Sequence, residues 1–316
     1  MDQPAELFDV VVVGGGAAGL STALQLGRAR RRVLVVDGRR PRHGVAPFMH
    51  GLLGRDHTSP LDLLSDGRAE IERYGGVCVE GVVSGAKAEE SRFVIDLDGG
   101  ARYVGRRLVV ATGLVDELPD ISGMSDLWGT GVVTCPYCDG FESRDRTIAV
   151  VATQPMSVFQ AKLLRQWSSD VIYFSQGVYE PDGDDIAAFA GRGIRIDRRP
   201  VVALAASSAG GVEAVVTEDG DRVPVERVFI APRSRPRDEV LRGLGASVVD
   251  GWVQVDEAGQ TNVPGLYAVG NVVDVYANVA MSIGAGSATG GAVNADLTME
   301  DTRLAVASTS GAGQEP

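Results

Sequence analysis

The sequence predicts an α/β protein built from two Rossmann-like units. Three observations carry that prediction: a strand, glycine turn, helix and strand at the start; a second βαβ layout after residue 147; and 316 residues, enough for two cores. Asp9 to Val13 is a short β-branched run ending in Gly14-Gly15-Gly16-Ala17-Ala18-Gly19. A helical pattern follows from Leu20 through Leu26, and Val33 to Val36 reads as a buried strand ending at Asp37. Gly14 permits the tight turn, Gly16 lets backbone approach a pyrophosphate, and Gly19 lets helix pack on strand. The helix N-terminus then faces the phosphates, and Asp37, 18 residues beyond the last glycine, accepts from ribose hydroxyls. A lone GxGxxG is weak evidence; both strands and the acid in register make it specific.

The remaining elements follow in order. Residues 41–75 begin as a loop rich in glycine and proline that holds all three histidines, His43, His50 and His57. In a dinucleotide fold such a loop lies along the cofactor, which makes His50 a cofactor contact, with His43 and His57 read as surface residues. A helix is expected from Leu61 to Tyr74 and one strand from Val77 to Val83, with Cys78 in it a small buried hydrophobe. Phe93 to Leu97 and Arg102 to Val110 form a hairpin across Asp98-Gly99-Gly100, and the second arm leaves through Ala111-Thr112-Gly113.

Cys135-Pro136-Tyr137-Cys138-Asp139-Gly140 is the chemical centre of the chain. Two thiols at this spacing form a disulfide or a dithiol, and one often has a lowered pKa. Half of a zinc knuckle reads the same way. Zinc needs two further ligands, and only Cys78 and three histidines remain, none at paired spacing. Redox chemistry is the better reading, with no metal.

Thr147 to Ala152, a helix from Ser157 to Trp167, and Val171 to Phe174 make the second βαβ unit. Its turn, Thr153-Gln154-Pro155-Met156-Ser157, has no glycine where backbone would meet a pyrophosphate. The next strand ends in Phe174-Ser175-Gln176, with neither an acid for a ribose nor an arginine for a 2′-phosphate. Beyond Pro264-Gly265-Leu266-Tyr267-Ala268-Val269-Gly270-Asn271, a small-residue helix is expected from about Ala280 to Leu297, its glycines packed against something flat. Residues past Thr302 read as frayed.

Composition narrows the function classes. Hydrophobic content is 44%, as in ordinary globular proteins, and the net charge of −12 argues against a nucleic-acid surface. Arg28 to Arg32, with Arg39, Arg40 and Arg42, read mainly as solvated positions. Met1 to Asp9 lacks the pattern of a signal peptide, and no apolar stretch has the length to cross a bilayer. A cytoplasmic protein is expected, in which a CxxC is a working redox pair.

Together the Gly14 to Gly19 turn, Ala111-Thr112-Gly113, Cys-Pro-Tyr-Cys-Asp-Gly and the Pro264 to Asn271 motif resemble the low-molecular-weight thioredoxin reductase family of flavoproteins. The resemblance implies two Rossmann-like, three-layer ββα domains and FAD as cofactor. The FAD domain is discontinuous, residues 1–115 and 246–316, with a smaller inserted domain, 116–245, that carries the CxxC. It implies FAD contacts at Gly14, Gly16, Ala17, Ala18, Gly19, Asp37, Gly38, His50, Ala111, Thr112, Gly113, Gly270, Asn271, Val279 and Ala280. Family members normally bind NADPH on the inserted domain; the turn at Thr153 to Ser157 departs from that pattern. At 271 the family's aspartate is asparagine, which keeps an acceptor.

Met49-His50-Gly51-Leu52 resembles the histidine-bearing loop of a narrower branch, the FAD-dependent dithiol oxidases of gliotoxin, holomycin and romidepsin biosynthesis. That implies a disulfide-forming enzyme of antibiotic biosynthesis, a homodimer, acting on a small-molecule dithiol with O2 as electron acceptor. Cys135 is then the thiol met by substrate and Cys138 the one nearer the flavin. Asp139 is the candidate proton carrier, with His50 the alternate. Two other readings stay open: a disulfide reductase fed by ferredoxin or NADPH, and a redox-sensing flavoprotein without turnover.

Overall fold

The computed structural model describes residues 6–208 and 210–311. The first part of the acidic start and the last five residues of the tail read as frayed lie outside them. The chain forms two compact units: one made of the chain up to Arg42, Leu61–Val115 and the chain from Pro236 on, the other of His43–Pro60 and Asp116–Arg235. Two segments fall differently from the boundaries read in the sequence. His43–Pro60 groups with the CxxC unit, and 236–245 with the first unit. The loop is held there by Val45, whose carbonyl lies 2.7 Å from where a Cβ on Gly129 would stand.

In the first unit, β1 (Glu6–Val13), α1 (Ala17–Arg28), β2 (Val33–Asp37), α2 (Pro60–Arg73) and β3 (Val77–Glu80) lead to β4 (Val83–Glu89), β5 (Arg92–Leu97) and β6 (Arg102–Val110). The sheet runs β3-β2-β1-β6-β5-β4, and Leu266–Ala268 also pairs with β6. The first half of β6 pairs antiparallel with β5 (Phe93 opposite Gly105), and its second half pairs parallel with Leu266–Ala268 (Leu108 opposite Leu266). Strand alternation sends Val10, Val12, Val33 and Val35 to a core with α1, Leu64 and Ile71 of α2, and Val293 and Leu297. Val11, Val13, Leu34 and Val36 face the opposite core, which holds Phe93, Ile95 and Leu97. Burial on both faces is why these strands read as continuous apolar runs.

Three expectations change here. The strand expected over Val77 to Val83 is two, β3 and β4, because Gly81 sits against Leu97, whose Cδ2 is 2.5 Å from where a Cβ would stand. The C-terminal helix runs from Val279 to Gly311, well past Leu297 and Thr302. Arg31, Arg106 and Arg107 hold that extension through Asp301, Glu300 and Asp296; Arg107 grips Asp296 with two bonds, of 2.6 and 3.1 Å. Two of its glycines face α1, not a flat surface: a Cβ on Gly286 would stand 2.2 Å from the Ala18 carbonyl oxygen, and one on Gly290 2.8 Å from that of Thr22, while Gly284 and Gly291 have open space around a Cβ.

The second unit repeats the three layers. Its parallel sheet runs Arg195–Asp197, Val171–Phe174, Ile148–Val151, Arg227–Ile230, Val132–Val133. Helices Met156–Leu164 and Gly183–Arg192 cover one face through Ala161, Leu164 and Phe189. The antiparallel strands Val201–Ala206 and Val212–Thr217 supply Val201, Leu204, Val212 and Val215 to the core on the other. The chain passes between units through Leu114–Glu117 and Arg233–Pro236, which form a two-stranded ribbon. No helix among the described residues is long and apolar enough to cross a membrane.

Candidate functional site

The glycine turn between β1 and α1 has the features of an anion site. Gly14 has φ +108°, and a Cβ there would lie 2.3 Å from the Ala111 carbonyl oxygen. At Gly19 it would lie 1.9 Å from the Gly14 carbonyl, so this glycine is fixed by helix packing against the turn. Gly16 differs: nothing lies within 4 Å of a Cβ there. It caps α1 without a side-chain hydrogen bond, and no acidic residue stands in the first turn, so neither the cap nor that turn offers the helix amides an anion. Open space at Gly16 and uncapped amides fit the pyrophosphate of FAD.

Asp37 ends β2 beside this turn, accepting from the Arg39 amide at 3.1 Å. Gly15, which the glycine spacing left unassigned, is needed as well: a Cβ on it would lie 2.6 Å from the Asp37 carboxylate. Gly38 follows, with Val82 3.6 Å from a Cβ there. Thr112 and Gly113 turn away from β6, Thr112 Oγ1 donating to the Arg237 carbonyl at 2.6 Å. A Cβ on Gly270 would meet Ala18 at 2.8 Å, which ties the Gly270 turn to the first turn of α1, where Ala17 also stands. Val279 and Ala280 open the C-terminal helix.

Asn271 has its own structural reason. Its Nδ2 donates to the Asp274 and Ala277 carbonyls at 2.8 and 2.9 Å, and its Oδ1 accepts from Arg42 at 3.3 Å. The two carbonyls assign the amide orientation. An aspartate could not donate to either, so the asparagine holds the loop while keeping an acceptor. Substituting Gly16 with valine should empty this site, because the β-branch fills the only open position of the turn. The purified Gly16→Val protein is expected to be colourless while keeping its circular dichroism, and full FAD occupancy would remove the turn from the cofactor site.

In the second unit Cys135 and Cys138 form a disulfide at the start of the short helix Pro136–Asp139. Cys135 is the N-cap, its Sγ accepting from the Cys138 amide at 3.2 Å, and Pro136 occupies the first helical position, where its missing N–H costs nothing. Gly140 is required next: a Cβ would stand 2.7 Å from the Trp167 ring, and Tyr137 meets the same ring edge-on at 5.9 Å. Gln160, buried, donates to the Thr134 carbonyl at 2.6 Å and pins the approach to Cys135. Tyr137 and Phe141 remain exposed beside the disulfide.

Asp139 is half-buried, and its pKa is pushed up to about 6. Burial is the main cause and the Glu142 charge adds to it, while Arg227 and His50 pull the other way. His50 therefore lies within electrostatic reach of Asp139, and the two alternate proton carriers belong to one cluster. Its ring stands between Glu142 (Nε2 to Oε1, 3.6 Å) and Asp56 (Nδ1 to Oδ1, 3.7 Å). Glu142, Asp56 and Arg227 carry no motif and escape sequence reasoning. Cys78, expected to be buried, is half-buried against the core, its thiol pKa raised first by burial and then by Glu72. That is the profile of an inert thiol.

The turn after Ile148–Val151 is occupied by its own side chains. Gln154 Nε2 donates to the Ala231 and Pro232 carbonyls at 3.0 and 3.2 Å, and Thr153 Oγ1 to Ala231 at 2.5 Å. Pro155 precedes the helix and has no N–H. Gln176 donates back to the Ala152 carbonyl at 2.7 Å, and Ser175, fully buried, bonds Glu180. Arg198 and Arg199, the nearest cations after the next strand, pair with Glu180 and with Asp197, Asp219 and Asp221.

An open glycine turn on one α/β unit and a CxxC disulfide on another define a flavin-dependent thiol/disulfide oxidoreductase. The chain belongs to the pyridine nucleotide-disulphide oxidoreductase family, whose model matches residues 8–290, and FAD is its cofactor. It is similar to thioredoxin reductase tcpT of Claviceps purpurea, 30% identical over 298 residues that span 90% of this chain and 93% of that one. Thioredoxin reductase sirT of Leptosphaeria maculans is 28% identical over 314 residues, 91% and 94% of the two chains. Among solved structures, HlmI superposes with a TM-score of 0.94 at 42% identity, covering 98% of this chain and 99% of that one. An oxidoreductase from Agrobacterium tumefaciens gives 0.87 at 36% identity, covering 92% and 99%.

Proposed function

We propose that this protein is a dithiol oxidase that closes an intramolecular disulfide in a small molecule of secondary metabolism. A substrate thiolate attacks Cys135 Sγ, breaking the Cys135–Cys138 bond and releasing Cys138 as a thiolate. The second substrate thiol then attacks the substrate sulfur of that mixed disulfide, forming the cyclic disulfide and releasing Cys135. Asp139 takes the proton that the attacking thiol gives up; with its pKa at about 6 it is ionised at neutral pH and still basic enough to do so. FAD, which the Gly14 to Gly19 turn and Asp37 would hold, would supply the electron sink for the reduced cysteines, with O2 as final acceptor and hydrogen peroxide as product. The FAD contacts named above, a homodimeric assembly and a cytoplasmic setting belong to the same proposal.

The observation that carries this reading is the self-filled turn at Thr153 to Ser157. Binding a nicotinamide dinucleotide needs backbone amides open to its pyrophosphate. Here Gln154 bridges the ends of the strands and Pro155 offers no donor. The relatives named as HlmI, tcpT and sirT are compatible with either direction of disulfide exchange. Anaerobic mixing decides. Dithiothreitol should bleach the flavin and air should restore it with one peroxide per cycle, while NADPH and NADH leave it oxidised. Rapid bleaching by micromolar NADPH would sink the oxidase reading in favour of a reductase.

A further inference from the structure

Asp139, Glu142, His50 and Asp56 cluster beside the disulfide. Asp139 is half-buried, and Glu142 follows it by three residues on the turn that continues the helix, with Ser143 N–H bonded to the Asp139 carbonyl at 3.1 Å. Glu142 Oε2 is buried and has no hydrogen-bond partner among the described residues. Its other oxygen lies 3.6 Å from His50 Nε2. The opposite nitrogen, Nδ1, lies 3.7 Å from Asp56, whose side chain is 65% exposed against 16% for His50. Glu142 is 36% exposed, so His50 is the most enclosed of the three, and the contacts run Glu142, His50, Asp56.

Loop stability does not account for this arrangement. Met49 and Thr58 are bonded backbone to backbone at 2.9 Å, the His57 amide reaches the Met49 carbonyl at 3.0 Å, and the Gly51 amide reaches Asp56 Oδ1 at 2.8 Å. Those bonds close the loop without the imidazole. Leaving a carboxylate oxygen buried and unbonded costs stability, which calls for a role. An imidazole with a carboxylate at each nitrogen can take a proton on one and release it from the other.

We propose that Glu142, His50 and Asp56 form a relay that carries the proton accepted by Asp139 away from the disulfide to solvent. The proposal rests on dithiol exchange at Cys135. In that exchange a dithiol and the enzyme disulfide become a cyclic disulfide and a reduced pair holding one proton, so one proton must leave. Gaps of 3.6 and 3.7 Å close by a small rotation or through one water. Arg227, with Arg146 behind it, is the charged group facing Asp139 and Glu142, and the His57 ring stands 5.5 Å from His50. Glu142 and Asp56 act here as relay residues.

The test uses oxidised holoenzyme and dithiothreitol without oxygen, with reduction of the Cys135–Cys138 pair followed by quenching, alkylation and mass analysis. Glu142→Gln and Asp56→Asn preserve shape, and in the second the amide oxygen of the new side chain would still accept from the Gly51 N–H. Each should slow reduction roughly tenfold, below the 10²–10⁴-fold typical of a direct acid or base. Added imidazole should restore the rate, and the pH profile should flatten. If either variant misfolds, His50→Ala with imidazole decides in the same assay. Wild-type rates in the variants, or losses that imidazole does not restore, would overturn the relay. Admitting air separates the two claims: reduction without subsequent peroxide removes the oxidase reading and leaves the relay standing.

Discussion

Cys138→Ser should lose turnover by on the order of 10³-fold or more, the scale for removing a residue that carries the covalent chemistry. Cys135→Ser should lose as much, so rates alone cannot tell the cysteines apart. Trapping can. In Cys138→Ser the lone Cys135 thiolate should attack a linear disulfide such as bis(2-hydroxyethyl) disulfide, and the departing mercaptoethanol leaves no thiol on the adduct to resolve it. The expected result is a stable mixed disulfide on Cys135, read as a mass increase on its peptide and reversed by reductant. Cys135→Ser should form far less adduct on Cys138 under the same conditions. The assignment follows from role: the sulfur met by substrate forms the mixed disulfide, and its partner leaves as thiolate. An adduct that accumulated on Cys138 in Cys135→Ser, and not on Cys135 in Cys138→Ser, would reverse the two roles.

Much of the first unit was legible because its signals are local. The β-branched runs of β1 and β2, the glycine spacing between them and Asp37 all lie within one short stretch. The CxxC was legible for the same reason. What escaped depends on partners distant in the chain. Gly81 breaks a strand only because Leu97 packs over it. The C-terminal helix continues because Arg31, Arg106 and Arg107 reach its acidic residues, a clamp that no helical propensity records. A stripe of glycines looks the same whether a sheet or a helix covers it, so packing on α1 could not be read ahead. Asp139 and His50 were separate alternatives in the sequence. Glu142 and Asp56, which carry no motif, show their relation to them only once the loop lies beside the CxxC helix.

Asp139→Asn is expected to produce a more stable and far less active protein. In the folded state Asp139 is raised to about 6, chiefly by burial, so the native protein holds this proton more tightly than the unfolded chain does. For a carboxyl shifted upward, the favourable contribution is present at low pH. It is lost as pH rises from the unfolded value near 3.8 through about 6. Wild type at pH 7 to 8 therefore carries the cost of a poorly solvated charge, about 2 kcal/mol after allowance for partial exposure. Asparagine never ionises and avoids that cost. Its unfolding midpoint should exceed that of wild type by several degrees at neutral pH, with the gap closing as pH falls below the carboxyl's folded pKa. Activity should move the other way. Wild-type reduction by dithiothreitol, corrected for thiolate concentration, should rise with pH through about 6 as the base ionises, whereas Asp139→Asn should show no such limb and run roughly 10²-fold slower. Thermal scans and anaerobic stopped-flow across pH 5 to 8 measure both. A variant less stable than wild type at pH 8, or one that keeps the limb at about 6, would show that Asp139 is not the titrating base.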